Sequence, residues 1–168
     1  MAGPHRVVRP GDVRPEPWAN GGGTTRVLAR ADDDAWRISV ADVERDGPFS
    51  AFPGRRRLLT VVDGPVLGLE VDGETHVVEP HRPFAFSGDA TVLASVPDGP
   101  VRALNVVVDP AAVAPFVTVL ELGRGSALPL AADQAAYVLT GVEAGCLVLG
   151  PGEVEGRCTV AVVTLERA

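Results

Sequence analysis

The chain contains no lysine, and all 15 of its basic residues are arginine. Schiff-base chemistry and lysine general-base chemistry are therefore excluded. The 22 acidic residues give a net charge of −7, which argues against binding to nucleic acid or to an anionic membrane surface. No apolar run approaches the roughly 18 residues of a membrane helix, and residues 1–6 lack the apolar stretch of a signal peptide. These absences predict a cytoplasmic protein.

Histidine and cysteine are too scarce for most metal-dependent or nucleophilic chemistry. The three histidines are His5, His76 and His81, and with Glu79 they are the candidates for a metal site. No pair has ligand spacing, since His76 and Glu79 would point to opposite faces of one strand. No G-x-S-x-G elbow occurs, and the two cysteines lie in apolar strand patterns that favour inert packing. We therefore expect no metal, no other cofactor and no catalytic residue.

Short apolar runs separated by glycine and proline recur along the whole chain, as in a sandwich or barrel. The longer runs are Thr24–Arg30, Ala35–Val43, Arg57–Val62, Val101–Val108 and Cys158–Glu166. Helix is nearly absent, apart from a turn expected to begin at Asp109-Pro110 and to end at Pro115.

A weak internal repeat places the turn glycines Gly64 and Gly141 in matching positions. Two similar halves fit a duplicated barrel. The sequence predicts an all-β bicupin, in which two fused antiparallel barrels pack as one compact unit. Residues 1–108 would form the first half, and residues 109–168 a second, mainly structural half.

The stretch from Pro17 to Arg26 reads PWANGGGTTR and contains three consecutive glycines. Such a run indicates a place that needs positive φ or a close backbone approach. A turn of this kind can direct several backbone N–H groups at one anion. The plain alternative is a flexible surface turn before a strand. The stretch is not a nucleotide loop, because the glycine spacings of such loops are missing.

Residues 36–43, WRISVADV, alternate with period two as a half-buried strand does. One face would carry Trp36, Ile38 and Val40, and the other face would carry the residues between them. Four of the eight aromatic residues fall between positions 18 and 52, two of them in a loop of turn formers. These rings either line a site or only close a barrel end.

The blocks PWANGGGTTR and WRISVADVERDGPFSAFPG, with Arg57, FSGD at 86–89 and Asn105, resemble the HutD/Ves family of bacterial proteins. The resemblance covers most of residues 6–108. It implies a double-cupin β-barrel, an intracellular location and no established enzymatic activity. It also implies a link to histidine utilisation through an intermediate such as urocanate or N-formylglutamate. Four positions depart from the family's pattern, which has a lysine where this chain has Ala19 and acidic residues where it has Val27, Arg56 and Ala103.

An arginine, amide and aromatic constellation is the chemistry that remains. The arginine fork matches a carboxylate, and an asparagine offers both a donor and an acceptor. The predicted pocket consists of Trp18, Asn20, Gly21, Gly22, Gly23, Arg26, Arg37, Ser39, Phe49, Arg57 and Asn105. With the family's charges lost, we expect this pocket to be more positive than those of its relatives. The alternative is a structural network in which Arg37 or Arg57 pairs with Asp42, Asp46 or Asp89.

We expect a non-catalytic protein that binds a small carboxylate, with regulation of histidine utilisation as the role that the resemblance suggests. One alternative is a cupin-type enzyme that acts on such a carboxylate by acid–base chemistry. Another is an interaction module without a ligand. The lack of convergent histidines and carboxylates argues against the enzyme. A homodimer, paired through open sheet edges or exposed faces, is a further expectation.

Overall fold

The computed structural model describes residues 6–168, so His5 lies outside the described residues. Within this range the only helix is a short 3-10 turn at Pro10–Asp12. The strands are β1 Arg6–Val8, β2 Glu16–Pro17, β3 Gly23–Arg30, β4 Trp36–Val43, β5 Gly47–Pro48, β6 Arg56–Asp63, β7 Leu67–Val71, β8 Glu74–Val78, β9 Phe84–Ser87, β10 Val92–Ser95, β11 Val101–Val108, β12 Val113–Leu122, β13 Ala127–Leu130, β14 Gln134–Val138, β15 Leu147–Leu149, β16 Gly152–Glu155 and β17 Cys158–Arg167. The prediction of a nearly all-β protein is confirmed.

The strands pair antiparallel in four sheets. A six-stranded sheet has the order β2-β3-β4-β11-β6-β9, and a five-stranded sheet has the order β1-β15-β14-β17-β12. A four-stranded sheet, β5-β10-β7-β8, and the two-stranded sheet β13-β16 complete the fold. These sheets are open, so the closed barrels expected from the sequence are not what the strand pairing shows. β1 comes from the start of the chain and joins the sheet formed by its C-terminal part.

Three apolar cores separate the sheets as successive layers. The largest core lies between the six-stranded and five-stranded sheets, where Ile38 and Val106 meet Leu147 and Val163. A second core joins the other face of the six-stranded sheet to the four-stranded sheet. A third core fills the space between the five-stranded sheet and the two-stranded sheet β13-β16. Each fully buried aliphatic side chain contributes about 1.5–3 kcal/mol to these layers.

The alternation predicted for residues 36–43 is present in β4. Ile38 and Val40 lie in the largest core, and Trp36 packs against it from its edge. Ser39 and Ala41 are buried on the other face, toward the four-stranded sheet. The six-stranded sheet therefore has an aliphatic face and a face that carries polar groups.

The two glycines that match in the predicted repeat have similar backbone geometry. Gly64 and Gly141 have φ values of +91° and +104°. A Cβ atom would lie 2.6 Å from the Pro100 carbonyl oxygen at Gly64, and 3.0 Å from the Arg157 carbonyl oxygen at Gly141. Pro100 and Arg157 directly precede β11 and β17, so each glycine packs against the start of a long strand.

The helical turn expected after residue 108 is shorter than predicted. The Asp109 side chain accepts a hydrogen bond from the Ala111 N–H (3.0 Å), and the Asp109 carbonyl accepts one from the Val113 N–H (3.0 Å). The turn ends there because β12 begins at Val113. Pro115 therefore lies within a strand, which it can do because β12 is at the edge of its sheet.

Candidate functional site

A cavity of about 570 Å³ opens on the polar face of the six-stranded sheet. Seven of the eleven predicted site residues line it: Trp18, Asn20, Arg37, Ser39, Phe49, Arg57 and Asn105. Gly21, Gly22, Gly23 and Arg26 do not line it. The structure thus brings together side chains from β4, β6 and β11 and from the loops around β2 and β5.

Strand register explains why the polar groups of three strands converge. Val107 in β11 lies opposite Arg37 in β4 and opposite Arg57 in β6, so these residues form one row across the sheet. The next row places Asn105 opposite Ser39. Directly opposed residues share a face, and neighbouring strands lie about 4.8 Å apart. The two arginines therefore project from the same face with one valine between them.

Arg57 is a buried cation without an acidic partner among the described residues. Only 6% of the residue is exposed, and its Nη1 donates a hydrogen bond to the Ser50 carbonyl oxygen (2.9 Å). Its guanidinium carbon lies 4.8 Å from the ring centroids of both Phe52 and Phe86. Burial, and then the charge of Arg37, lowers the pKa of Arg57 to about 10. The cation is thus held by aromatic faces and one carbonyl oxygen.

Arg37 shares the same aromatic support. Its guanidinium carbon lies 4.7 Å from the centroid of the Phe52 ring, so both arginine head groups contact one ring. Burial, and then the charge of Arg30, lowers the pKa of Arg37. The Nε atoms of Arg37 and Arg57 are both buried, and neither has a hydrogen-bond partner. Two cations with unused donors therefore stand beside the cavity.

The aspartates that could have neutralised these arginines are used elsewhere. Asp42 binds Arg102 (2.7 Å) and lies 3.6 Å from Arg26. Asp46 accepts a hydrogen bond from the Val96 N–H, and Asp89 accepts one from the Gly54 N–H. The structural network expected as the alternative for Arg37 and Arg57 is therefore not formed within residues 6–168.

Asn105 supplies a neutral polar group one row away from the arginines. The residue is 8% exposed, and its Nδ2 lies 3.5 Å from the Ala103 carbonyl oxygen. Its Oδ1 is buried without a hydrogen-bond partner. An unpaired buried acceptor costs free energy, so this oxygen is open to a donor from the cavity.

The glycine run supports the cavity wall but does not itself face the cavity. The N–H groups of Gly21 and Gly22 donate to the Trp18 carbonyl oxygen (3.0 Å) and to Asn20 Oδ1 (2.8 Å). A Cβ atom at Gly23 would collide with the Asp42 carbonyl oxygen and lie 3.2 Å from the Trp18 ring. Because two of the N–H groups are already used, the anion site predicted for this turn is not formed. The turn positions Trp18 instead.

Trp18 and Phe49 form the aromatic side of the cavity. Trp18 Nε1 donates to Thr25 Oγ1 (2.8 Å), which fixes the indole ring. The Trp18 and Phe49 rings meet edge to face, with centroids 5.7 Å apart. Both rings line the cavity and also pack against the second core, whereas Trp36 does not line the cavity.

Arg26 lies on the opposite face of the sheet from the cavity. In β3 it stands opposite Val40, whose side chain belongs to the largest core, and its head group lies near Asp42. Its place in the predicted pocket came from the motif, whereas strand alternation assigns the cavity face to Thr25 and Val27.

Two of the four positions with altered charge line the cavity, namely Ala19 and Val27. One replaces a lysine of the family's pattern and the other replaces an acid, so their effects on the cavity charge cancel. Arg56 and Ala103 lie outside the lining. The expected gain of positive charge relative to other family members is therefore not supported by the lining.

Sequence reasoning missed two residues of the site. Phe52 contacts both arginines, and Glu16 at the end of β2 lines the cavity and favours the charged form of Arg37. The pair of phenylalanines three positions apart in a loop of turn formers was the available signal for Phe52. No pattern marks Glu16, because it lies in a two-residue strand.

The described residues contain no cluster of three or more His, Cys, Asp or Glu side chains that could hold a metal ion. His76 packs against the Phe84 ring, with centroids 4.8 Å apart. Residues 6–168 also contain no helix long and apolar enough to cross a membrane.

The architecture is cupin-like. It superposes on a cupin 2 conserved barrel domain protein from Leptotrichia buccalis with a TM-score of 0.59, over 86% of this chain and 89% of that one. At 10% identity this likeness concerns the fold alone.

The chain belongs to the HutD family, whose model matches residues 11–150. The structure of HutD from Pseudomonas fluorescens SBW25 (formate condition) superposes with a TM-score of 0.72 and 29% identity, over 97% of this chain and 100% of that one.

Curated relatives give the same family. An uncharacterised 21.2 kDa protein of the hutC 3′ region of Pseudomonas putida is 37% identical over 111 residues, which cover 62% of this chain and 58% of that protein. The protein Ves of Citrobacter koseri is 38% identical over 96 residues, which cover 52% of this chain and 50% of that protein. The matched segments thus span about half the length of these relatives. The family is linked to the histidine-utilisation locus.

Proposed function

We propose that this protein binds a small carboxylate in the cavity of the six-stranded sheet, without catalysing a reaction on it. The observation that carries the proposal is the pair Arg37 and Arg57, which line one cavity and have no acidic partner among the described residues. A guanidinium group presents parallel N–H donors that match a carboxylate. A bound anion would supply the charge that the protein itself does not provide.

The aromatic side chains favour a ligand with a flat or apolar body. Trp18 and Phe49 form one side of the cavity, and Phe52 lies beneath both arginine head groups. A volume of about 570 Å³ lies within the usual range of small-molecule sites. Urocanate is planar, and N-formylglutamate is a small dicarboxylate, so both have suitable chemistry.

The link to histidine utilisation supports these two acids as candidates. We propose that this protein is cytoplasmic and regulatory, and that it senses one of them. A cupin-type enzyme is the alternative, but among residues 6–168 the cavity lining holds Glu16 as its only carboxylate and no histidine. General acid–base catalysis needs a group that titrates near the working pH. The lining therefore favours binding over turnover.

We also propose that the fold is a duplicated cupin with halves near 1–108 and 109–168. The matched glycines Gly64 and Gly141 support this duplication. In the second half, the space beside the five-stranded sheet is filled by aliphatic side chains such as Val138 and Val160. That half would serve mainly as structural support.

Titration calorimetry with a panel of histidine-pathway acids tests the proposal. Arg37→Ala or Arg57→Ala should weaken binding of the best acid about tenfold to a hundredfold, since a charge-assisted contact is worth roughly 1.5–3 kcal/mol. Arg26→Ala is the matched control, because that arginine lies on the opposite sheet face. If no panel acid binds, or both folded cavity variants bind as well as wild type, the proposal is wrong. Turnover of an acid would favour the enzyme instead.

A further inference from the structure

The side chain of Asn105 has a defined orientation in the cavity wall. Its Nδ2 lies 3.5 Å from the Ala103 carbonyl oxygen, and a flipped amide would bring two oxygens together there. Oδ1 is therefore the atom left without a partner, and it is buried in a residue that is more than nine-tenths buried. This atom only accepts hydrogen bonds.

The arginine donors beside Asn105 do not satisfy this oxygen. Neither Arg37 nor Arg57 donates a hydrogen bond to it, and the Nε atoms of both are themselves unpaired. The cavity thus presents two unpaired donors in one row and an unpaired acceptor in the next. Rows on one face are two residues apart along a strand, about 7 Å.

We infer that the ligand carries an N–H donor in addition to its carboxylate, and that Asn105 Oδ1 receives this donor. This inference rests on the proposed function and adds a requirement that a plain carboxylate does not meet. A carboxylate without the donor would satisfy the arginines but leave Oδ1 unpaired. Sites built to pair with a substrate N–H discriminate strongly against analogues that lack it.

Two matched ligand pairs test the requirement by titration calorimetry at pH 8, where an imidazole is neutral. Urocanate and trans-cinnamate share a planar acrylate, but the phenyl ring of cinnamate has no N–H. N-formylglutamate and 2-formyloxyglutarate differ by one N–H replaced by oxygen. In the pair whose N–H form binds wild type, we expect that form to bind roughly tenfold to a hundredfold more tightly than its analogue.

Two variants at position 105 separate an acceptor role from simple packing. Asn105→Leu should bind both members of the pair equally, because it removes the acceptor. Asn105→Asp keeps acceptor oxygens, so it should weaken both acids by pairing with the arginines while the preference for the N–H form remains. If Asn105→Leu does not fold, the preference of the wild-type protein for the N–H form of the ligand alone tests the inference.

The possible results distinguish the two proposals. If wild type binds the members of both pairs with equal affinity, the inference is wrong and the proposed function stands. If Asn105→Leu folds and retains the preference, another group receives the donor and the inference is also wrong. If neither pair binds, the proposed function fails, and the inference fails with it.

Discussion

Arg57→Met should stabilise the ligand-free protein while weakening carboxylate binding about tenfold to a hundredfold. Methionine fills a similar length of space, and its thioether packs well against aromatic rings. It removes a cation that is 6% exposed and has no acidic partner among the described residues. Stability and binding would therefore change in opposite directions at one position.

The magnitude follows from two opposing effects, because the cation–π contacts with Phe52 and Phe86 are exchanged for contacts of similar strength between the methionine sulfur and the same rings. Burial, and then the charge of Arg37, lowers the pKa of Arg57 to about 10, which corresponds to roughly 3 kcal/mol against the charged form. The variant loses the hydrogen bond to the Ser50 carbonyl oxygen, and a charge-assisted bond is worth about 1.5–3 kcal/mol. We expect a net gain of about 1 kcal/mol at pH 7, or about 2–4 °C in Tm for a protein of this size.

Urea and thermal unfolding of the ligand-free proteins measure this difference. Above pH 10 the stability difference between the two proteins should narrow. The unfolded wild-type chain there binds more protons than the folded one, so wild-type stability rises with pH while that of the variant does not. Arg102→Met is the matched control. Arg102 binds both oxygens of Asp42, so its removal should lower stability without changing carboxylate affinity. A clearly destabilised Arg57→Met that binds normally would refute the reasoning and make Arg57 a structural cation.

Three further predictions concern pH, the glycine turn and assembly. Carboxylate affinity should be constant from pH 7 to 9 and fall about tenfold per pH unit above 10, where Arg57 of the ligand-free protein loses its proton. A fall at lower pH, measured by calorimetry, would contradict this prediction. Gly23→Ala should lower the free energy of unfolding by about 1–3 kcal/mol, because the added Cβ meets the Asp42 carbonyl oxygen and the Trp18 ring. Gly21→Asn, with φ of +71° and open space, should cost less in the same denaturation assay. The protein should form a homodimer through edge strand β12, whose Phe116 is 53% exposed, and Phe116→Glu should give a monomer by light scattering. A wild-type monomer at high micromolar concentration would remove that prediction.

The face on which Arg37 and Ser39 lie could be predicted, because residues 36–43 alternate clearly. Their convergence with Arg57 and Asn105 also depends on the register between strands, and these two residues were marked by the family resemblance rather than by alternation. Arg26 shows the limit of motif reasoning. Its neighbours Thr25 and Val27 face the cavity, so alternation itself would have placed Arg26 on the other side.

Short strands and sheet closure could not be predicted in the same way. The two-residue strands β2 and β5 are too short to show a period, yet they carry Glu16 and Pro48 into the cavity lining. The two-stranded sheet β13-β16 contains Pro129 and Gly152, residues that are rare in strand interiors. Its register depends on the apolar surface that it covers. Closure of a barrel depends on register between distant strands, which local periodicity does not encode.

The position of β1 ties the ends of the chain into one cooperative unit. Arg6–Val8 pairs with Leu147–Leu149, about 140 residues away, and forms the edge of the five-stranded sheet. A fragment of residues 109–168 would therefore expose an apolar strand edge that aggregates readily. In hydrogen exchange, the β1 amides should be protected together with those of β14 and β17, and not with their neighbours in sequence. Strand β1 therefore cannot pair until residues 147–149 have been synthesised.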